Sequence, residues 1–234
     1  MIVPAVLSKS RASLIETLDR YAAFGASRVQ IDVVDGVFAT PASWPYNAPG
    51  ELEELVQKGK SLPHLDTLTY EIDLMCVDAE KAALMWAALG VTRFTVHIEG
   101  IPEPRHYLER VRQGLEHSIP GLISLGAALN VSTPTTLLDA ALGEAGYVQF
   151  MGIATIGRQG EPFDKRTPER IKRFHTTHPE VAIQVDGGVS LANASELFAV
   201  GVTDLIVGSG ILRAEDPRAA YEAFEALEAS SNFQ

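Results

Sequence analysis

The sequence predicts an α/β fold, and more specifically a single (β/α)₈ barrel that spans residues 1–234. Short apolar runs rich in Val and Ile alternate along the chain with longer segments of helical periodicity. The alternation repeats eight times, which is the number of strand–helix units in a closed barrel. The length is common for a one-domain barrel, and no linker, low-complexity stretch or short repeat divides the chain.

The elements can be assigned in chain order. Strands are predicted near 2–7, 28–34, 67–75, 93–98, 122–129, 147–153, 181–185 and 204–207. Helices are predicted near 10–24, 50–57, 78–89, 104–116, 135–142, 167–175, 191–200 and 216–228. The C-terminal tail is expected to be frayed. A doubly wound open sheet has the same alternation of elements and is the alternative architecture.

Composition and charge exclude several classes of partner. The formal net charge is −11 and no block of Lys and Arg is present, so neither nucleic acid nor an anionic membrane surface is an expected partner. The single cysteine, Cys76, permits no internal disulfide and is typical of a reducing compartment. No signal peptide or apolar run long enough to cross a membrane is evident. These features predict a cytoplasmic protein.

Three predicted strands carry a carboxylate on the side that faces the barrel interior. Alternate residues of a strand share a face, and the pairs that do so are Gln30 with Asp32, Glu71 with Asp73, and Gln184 with Asp186. A single aspartate after a strand is more often a helix cap or turn former, which is the better interpretation of Asp35 before Gly36. Three inward carboxylates together require a cation, a shared proton or a substrate.

Asp32 and Asp186 lie on strands almost opposite each other, near the strand ends where barrel enzymes keep their chemistry. Two such groups could face opposite sides of a flat intermediate. One would remove a proton from a carbon next to a carbonyl, and the other would return a proton to the far face. The predicted chemistry is inversion of a carbon centre.

Glycine-rich turns follow the last three predicted strands. Gly187-Gly188 and Gly208-Ser209 follow the seventh and eighth strands, where barrels often bind phosphate through backbone N–H groups. Gly157 and Gly160 follow the sixth strand, and Arg158 between them could approach the same phosphate or remain solvated. Plain turns are the alternative interpretation.

The loop after the second strand contains two aromatic residues, Trp44 and Tyr46. Aromatic residues in a long barrel loop can form a lid wall or a specificity surface. Packing between helices or against another subunit is the alternative. Acidic barrels of this kind often associate, so a homo-oligomer is left open.

In order along the chain, VPAVLS, QIDVVDGVF, EIDLM, TVHIEG, ALNVSTP, QFMGI, GRQGEPF, IQVDGG and LIVGSGI resemble the ribulose-phosphate 3-epimerase family of TIM barrels. The resemblance implies epimerisation of a ketopentose phosphate at C3 through an enediolate, with Asp32 and Asp186 as acid and base. It also implies a phosphate cradle and a substrate pocket. The cradle would comprise Gly157, Gly160, Gly187, Gly188, Gly208 and Ser209, and the pocket Ala5, Met75, His97 and Met151.

The chain departs from the family at the metal site, where two histidines are replaced by Gln30 and Asp73. The remaining set, Gln30, Asp32, Asp73 and Asp186, offers only oxygen ligands, which suit Mg²⁺ or Mn²⁺ better than Zn²⁺ or Fe²⁺. A metal-free site with at least one protonated carboxylate is the alternative.

The function expected from the sequence is a sugar-phosphate 3-epimerase acting on ribulose 5-phosphate or a relative. One alternative is a lyase or decarboxylase on the same scaffold, although neither QIDVVDG nor EIDLMC contains the lysine of those relatives. Lys165 is the nearest candidate for a Schiff base and is expected to be solvated. The other alternative is a non-catalytic barrel that binds sugar phosphates.

Overall fold

Eight parallel strands close into a barrel in which each strand pairs with its neighbours in sequence and β8 pairs with β1. The fold is a computed structural model that describes residues 1–231. The strands are β1 (Ile2–Val6), β2 (Arg28–Val34), β3 (Thr69–Met75), β4 (Arg93–His97), β5 (Ser124–Leu129), β6 (Tyr147–Met151), β7 (Ala182–Asp186) and β8 (Asp204–Val207). The predicted (β/α)₈ barrel is confirmed, and the open sheet is excluded.

Helices cover the outside of the barrel. They are α1 (Arg11–Phe24), α2 (Glu51–Gln57), α3 (Ala79–Ala87), α4 (Pro104–Ser118), α5 (Thr136–Asp139), α6 (Thr167–Thr177), α7 (Leu191–Ala199), α8 (Ser209–Leu212) and α9 (Pro217–Ser231). Within the described residues no helix is long and apolar enough to cross a membrane.

Three elements differ from the prediction. Helix α5 is a single turn rather than the predicted 135–142, and Thr135 makes no side-chain hydrogen bond that would cap it. An additional short helix, α8, follows β8 directly. Helix α9 continues to Ser231, beyond the predicted end at 228, and residues 232–234 of the tail lie outside the described residues.

Helix α1 illustrates how the outer layer is attached. Ser10 caps its first turn by accepting a hydrogen bond from the backbone N–H of Ser13, and Gly25 ends it in the left-handed conformation with φ of 84°. Its buried residues include Tyr21, whose hydroxyl donates to the backbone carbonyl of Ala5 at 3.1 Å. The helix is therefore anchored to β1 by apolar burial and by one buried hydrogen bond.

The aromatic residues of the loop after β2 have different environments. Trp44 is buried, packs edge-on against Trp86 of α3 at 5.6 Å between ring centroids, and donates its indole N–H to Glu51 at 2.8 Å. The possibility that Trp44 forms a lid wall is therefore wrong, because its ring packs beneath α2 and α3. Tyr46 is partly exposed in a cleft beside Trp86.

The interior of the barrel is unusually polar. Glu71 is fully buried and accepts hydrogen bonds from Arg93 at 2.7 Å, Thr95 at 2.8 Å, Tyr147 at 3.1 Å and Gln184 at 2.5 Å. Four donors compensate the desolvation of this carboxylate. These interactions provide the floor on which the candidate site rests.

Candidate active site

Three aspartates meet at the C-terminal ends of the strands. Asp32 ends the inward face of β2, Asp73 is its register partner on β3, and Asp186 is the last residue of β7. One carboxylate oxygen of each lies within 4.8 Å of the others. The alternation of side chains along the strands thus brings three carboxylates to one point, as the sequence indicated.

The amide of Gln30 bridges the two aspartates that were predicted to act as acid and base. Its Nε2 donates to Asp32 Oδ1 at 2.9 Å and to Asp186 Oδ2 at 3.3 Å. Its Oε1 is buried and has no hydrogen-bond partner among the described residues. One neutral side chain therefore holds the two carboxylates at a fixed separation and leaves a carbonyl oxygen available.

Burial and mutual repulsion shift the protonation of these carboxylates. Burial, followed by repulsion from Asp73, raises the pKa of Asp32 to about 8 even though Gln30 opposes the shift. Burial, followed by repulsion from Asp32 and Asp73, raises the pKa of Asp186 well above its ordinary value. The cluster therefore holds at least one proton near neutral pH, and its carboxylates titrate together.

Asp73 is completely buried and has its own hydrogen-bond donors. Gln149 of β6 donates to Asp73 Oδ2 at 3.1 Å, and His97 Nε2 lies 3.0 Å from Oδ1. Burial alone would lower the pKa of His97, but the charge and hydrogen bond of Asp73 outweigh it and raise that pKa. Asp73 is thus supported from β4 and β6, while Asp32 and Asp186 border the open cavity.

A chain of side chains links this cluster to the floor of the barrel. Gln149 accepts a hydrogen bond from Gln184 at 2.7 Å while it donates to Asp73. Gln184 in turn donates to Glu71, and Glu71 is paired with Arg93. The orientation of each amide is set by the next group, so Asp73 is held by interactions that cross the barrel interior.

Glycine turns after the last three strands form the other wall of the cavity. Gly157, Gly160, Gly187 and Gly188 have positive φ, from 68° to 98°, and a Cβ atom on Gly188 would lie 2.7 Å from the backbone of Phe163. These positions require glycine. They line one cavity together with Gly208, Ser209, Asp32 and Asp186.

The other predicted pocket residues divide into two groups. Ala5, Met75 and Met151 line the same cavity as Asp32 and Asp186, and Arg158 also lines it while donating to the backbone carbonyl of Thr40 at 3.2 Å. His97 does not line that cavity. It lies behind Asp73, faces a separate cavity and packs 5.4 Å from the ring of Phe38.

Two residues near the site were not predicted from the sequence. Gln149 shares the inward face of β6 with Tyr147 and Met151, so the same alternation could have identified it. Gln159 lies in an irregular loop and lines the cavity through contacts with distant residues. No sequence periodicity indicates its position.

The residues present fit a hard divalent cation. Three carboxylate oxygens lie within 4.8 Å of one another, and the unpaired Gln30 Oε1 supplies a fourth oxygen if the amide turns. No nitrogen or sulfur ligand belongs to this group, which favours Mg²⁺ or Mn²⁺ over Zn²⁺. In its present orientation the Gln30 amide already satisfies part of the negative charge.

Comparison with known proteins adds independent findings. The model of the ribulose-phosphate 3 epimerase family matches residues 1–212. The chain is 25% identical to ribulose-phosphate 3-epimerase of Aquifex aeolicus, covering 97% of this chain and 96% of that protein. It is also 25% identical to ribulose-phosphate 3-epimerase of Escherichia coli strain K12, with 92% and 90% covered.

A similarity to solved structures supports the fold alone. KGPDC from Streptococcus mutans, in a complex with a sugar phosphate, superposes with a TM-score of 0.72 at 16% identity. The match covers 98% of this chain and 97% of that one.

Proposed function

The chain belongs to the ribulose-phosphate 3-epimerase family, and on that premise we propose that it is a ketose-phosphate 3-epimerase that interconverts ribulose 5-phosphate and xylulose 5-phosphate or a related pair. The observation that carries the proposal is the shared cavity. Asp32 and Asp186 line it together with the glycine turns after β6, β7 and β8. Acid–base groups and an anion cradle in one cavity are the arrangement that a phosphorylated ketose requires.

Asp32 and Asp186 are proposed as the acid–base pair. One carboxylate takes the proton from C3, the electrons of the C3–H bond form the C2–C3 double bond, and the C2 carbonyl becomes an enediolate oxygen. The other carboxylic acid then returns a proton to the opposite face of C3. The raised pKa values favour this division, because a buried pair that shares a proton contains both an acid and a base.

Gln30 is proposed to keep the two carboxylates on either side of the substrate by bridging them through Nε2. Asp73 would hold a cation together with Asp32 and Asp186. When bound, such a cation would stabilise the negative charge of the enediolate oxygen.

The glycine cradle is proposed to bind the substrate phosphate through backbone N–H groups. This anchors the sugar away from the reacting carbon and converts binding energy into orientation. The proposed partner is therefore a small phosphorylated ketose.

Exchange of the C3 hydrogen with solvent deuterium tests the proposal. We expect the protein to exchange this hydrogen in D-ribulose 5-phosphate, followed by proton NMR in D₂O with and without added Mn²⁺. The matched control is Asp66→Asn, an exposed aspartate far from the cavity residues. Absence of exchange with every pentulose and hexulose phosphate would reject the proposal.

The lyase alternative receives no support from the side chains that face the cavity. All six lysines are exposed, including Lys165, and none lines the cavity. A Schiff-base mechanism would need a lysine there. The non-catalytic alternative predicts that phosphorylated ketoses bind without exchange, and the same experiment distinguishes it when binding is measured in parallel.

A further inference from the structure

The loop between β6 and α6 places one unpaired donor against the glycine cradle. Gln159 lines the cavity, and its Nε2 is shielded from solvent without a hydrogen-bond partner among the described residues. A Cβ atom built on Gly208 would lie 2.7 Å from this nitrogen. The Gln159 amide is therefore packed directly against the backbone of the turn after β8.

A buried N–H donor without an acceptor is uncommon in folded proteins and calls for an explanation. The carbonyl oxygen of Ala5 lies at the same turn but accepts the hydroxyl of Tyr21 instead. A ligand oxygen in the cavity would supply the missing acceptor. A phosphate oxygen bears negative charge, which strengthens a hydrogen bond donated by an amide.

Arg213 holds this loop from the outside. It is exposed after α8, donates from Nη2 to the backbone carbonyl of Gln159 at 3.1 Å, and its guanidinium packs against Gly160. A side chain at Gly160 would collide with that guanidinium. The contact joins the turn after β6 to the segment after β8, so two of the three cradle turns are fixed relative to each other.

Two positive charges flank the cradle in an otherwise acidic protein. Neither Arg158 nor Arg213 forms an ion pair with a carboxylate within residues 1–231, while the chain as a whole carries −11. Uncompensated cations beside a concave site raise the local concentration of anions. The cradle is thus the part of the cavity that favours a doubly charged ligand group.

We propose that Gln159 donates a hydrogen bond from Nε2 to a phosphate oxygen of the substrate, and that Arg213 is the positioning residue that holds Gln159 there. The inference rests on the proposed function and deepens it. It assigns a side-chain contact to a cradle otherwise built from backbone, and it names a dianionic phosphate monoester as the group selected.

Binding measured without turnover tests the contact with Gln159. We expect Gln159→Leu to raise the Kd for inorganic phosphate and for D-ribulose 5-phosphate about tenfold by calorimetry, as for loss of one hydrogen bond to a charged group. Gln159→Glu, which adds a negative charge, should raise both by about a hundredfold. Circular dichroism confirms folding of each variant, and Gln113→Leu on the exposed face of α4 is the matched control.

Arg213→Gln tests the positioning role. We expect phosphate affinity to fall about threefold at low ionic strength, and the salt dependence of phosphate binding to become flatter than in the parent protein. A purely structural contact would not change that salt dependence. Arg173→Gln, which alters an exposed ion pair on α6, is the matched control.

The outcomes separate this inference from the proposed function. If folded Gln159→Leu and Gln159→Glu both bind phosphate within twofold of the parent, the inference is overturned, and it is equally overturned if the parent binds neither inorganic phosphate nor the sugar phosphate. If phosphate binds through Gln159 but the C3 hydrogen never exchanges, the epimerase proposal fails while the assignment of the cradle is supported.

Discussion

Replacing Asp32 with Asn should make the stability of the protein less dependent on pH. Asp32 is 7% exposed, and burial together with repulsion from Asp73 raises its pKa from an ordinary 3.8 to about 8. Between these values the folded protein keeps a proton that the unfolded chain has released. The free energy of unfolding therefore falls as pH rises across this window.

The magnitude follows from one proton. Each pH unit within the window removes about 1.4 kcal/mol, so the parent should lose about 3 kcal/mol between pH 5 and pH 7 through Asp32 alone. Asparagine is nearly isosteric and does not ionise, so Asp32→Asn removes this slope. It also removes the repulsion that Asp32 exerts on Asp186, which flattens the dependence further.

Urea unfolding at several pH values between 4 and 9 measures the effect for both proteins. We expect the stability of Asp32→Asn relative to the parent to increase with pH, although the variant is inactive. Asp66→Asn, an exposed substitution, should follow the parent curve. Parallel curves for the parent and Asp32→Asn would refute the reasoning, because Asp32 would then not hold a proton in the folded protein.

Three further predictions follow from the same cluster and its floor. Asp186→Asn should lower C3 exchange about a thousandfold or more while the calorimetric Kd for phosphate stays within twofold, and full exchange activity in this variant would contradict its role. In the parent, the rate of C3 exchange should fall above about pH 8, as the acid member of the pair loses its proton; a rate that is constant to pH 10 would contradict a shared proton. Glu71→Gln should lower the free energy of unfolding by about 3 kcal/mol in urea titrations, because Arg93 loses its buried carboxylate; the exposed Glu53→Gln should change it by less than about 0.5 kcal/mol, and equal effects would argue against the buried network.

Strand periodicity was sufficient to predict the carboxylate cluster. Asp32, Asp73 and Asp186 lie on inward faces at strand ends, and a side-chain period of two identifies such positions without any tertiary information. The glycine turns were predictable for a similar reason, since their order after β6, β7 and β8 follows from the barrel topology.

Other features depend on contacts between distant residues. His97 was expected to border the substrate, but its ring turns toward Phe38 and Asp73 and lies behind the cluster. Gln159 reaches the cradle only because Arg213, 54 residues away in sequence, fixes its loop. The bridging role of Gln30 depends on which amide atom faces the carboxylates, and no sequence pattern specifies that orientation.

The covalent adjacency of Asp186 to Gly187 and Gly188 has a consequence for the length of acceptable ligands. The backbone N–H of Gly152 donates to the Asp186 carbonyl at 2.6 Å, and a Cβ on Gly187 would meet Ile153 at 2.7 Å, so the turn has little room to slide. With the charged end of a ligand seated in that turn, the spacing to the carboxylates acts as a ruler. Sugars one carbon longer or shorter would present a different atom to Asp32 and Asp186.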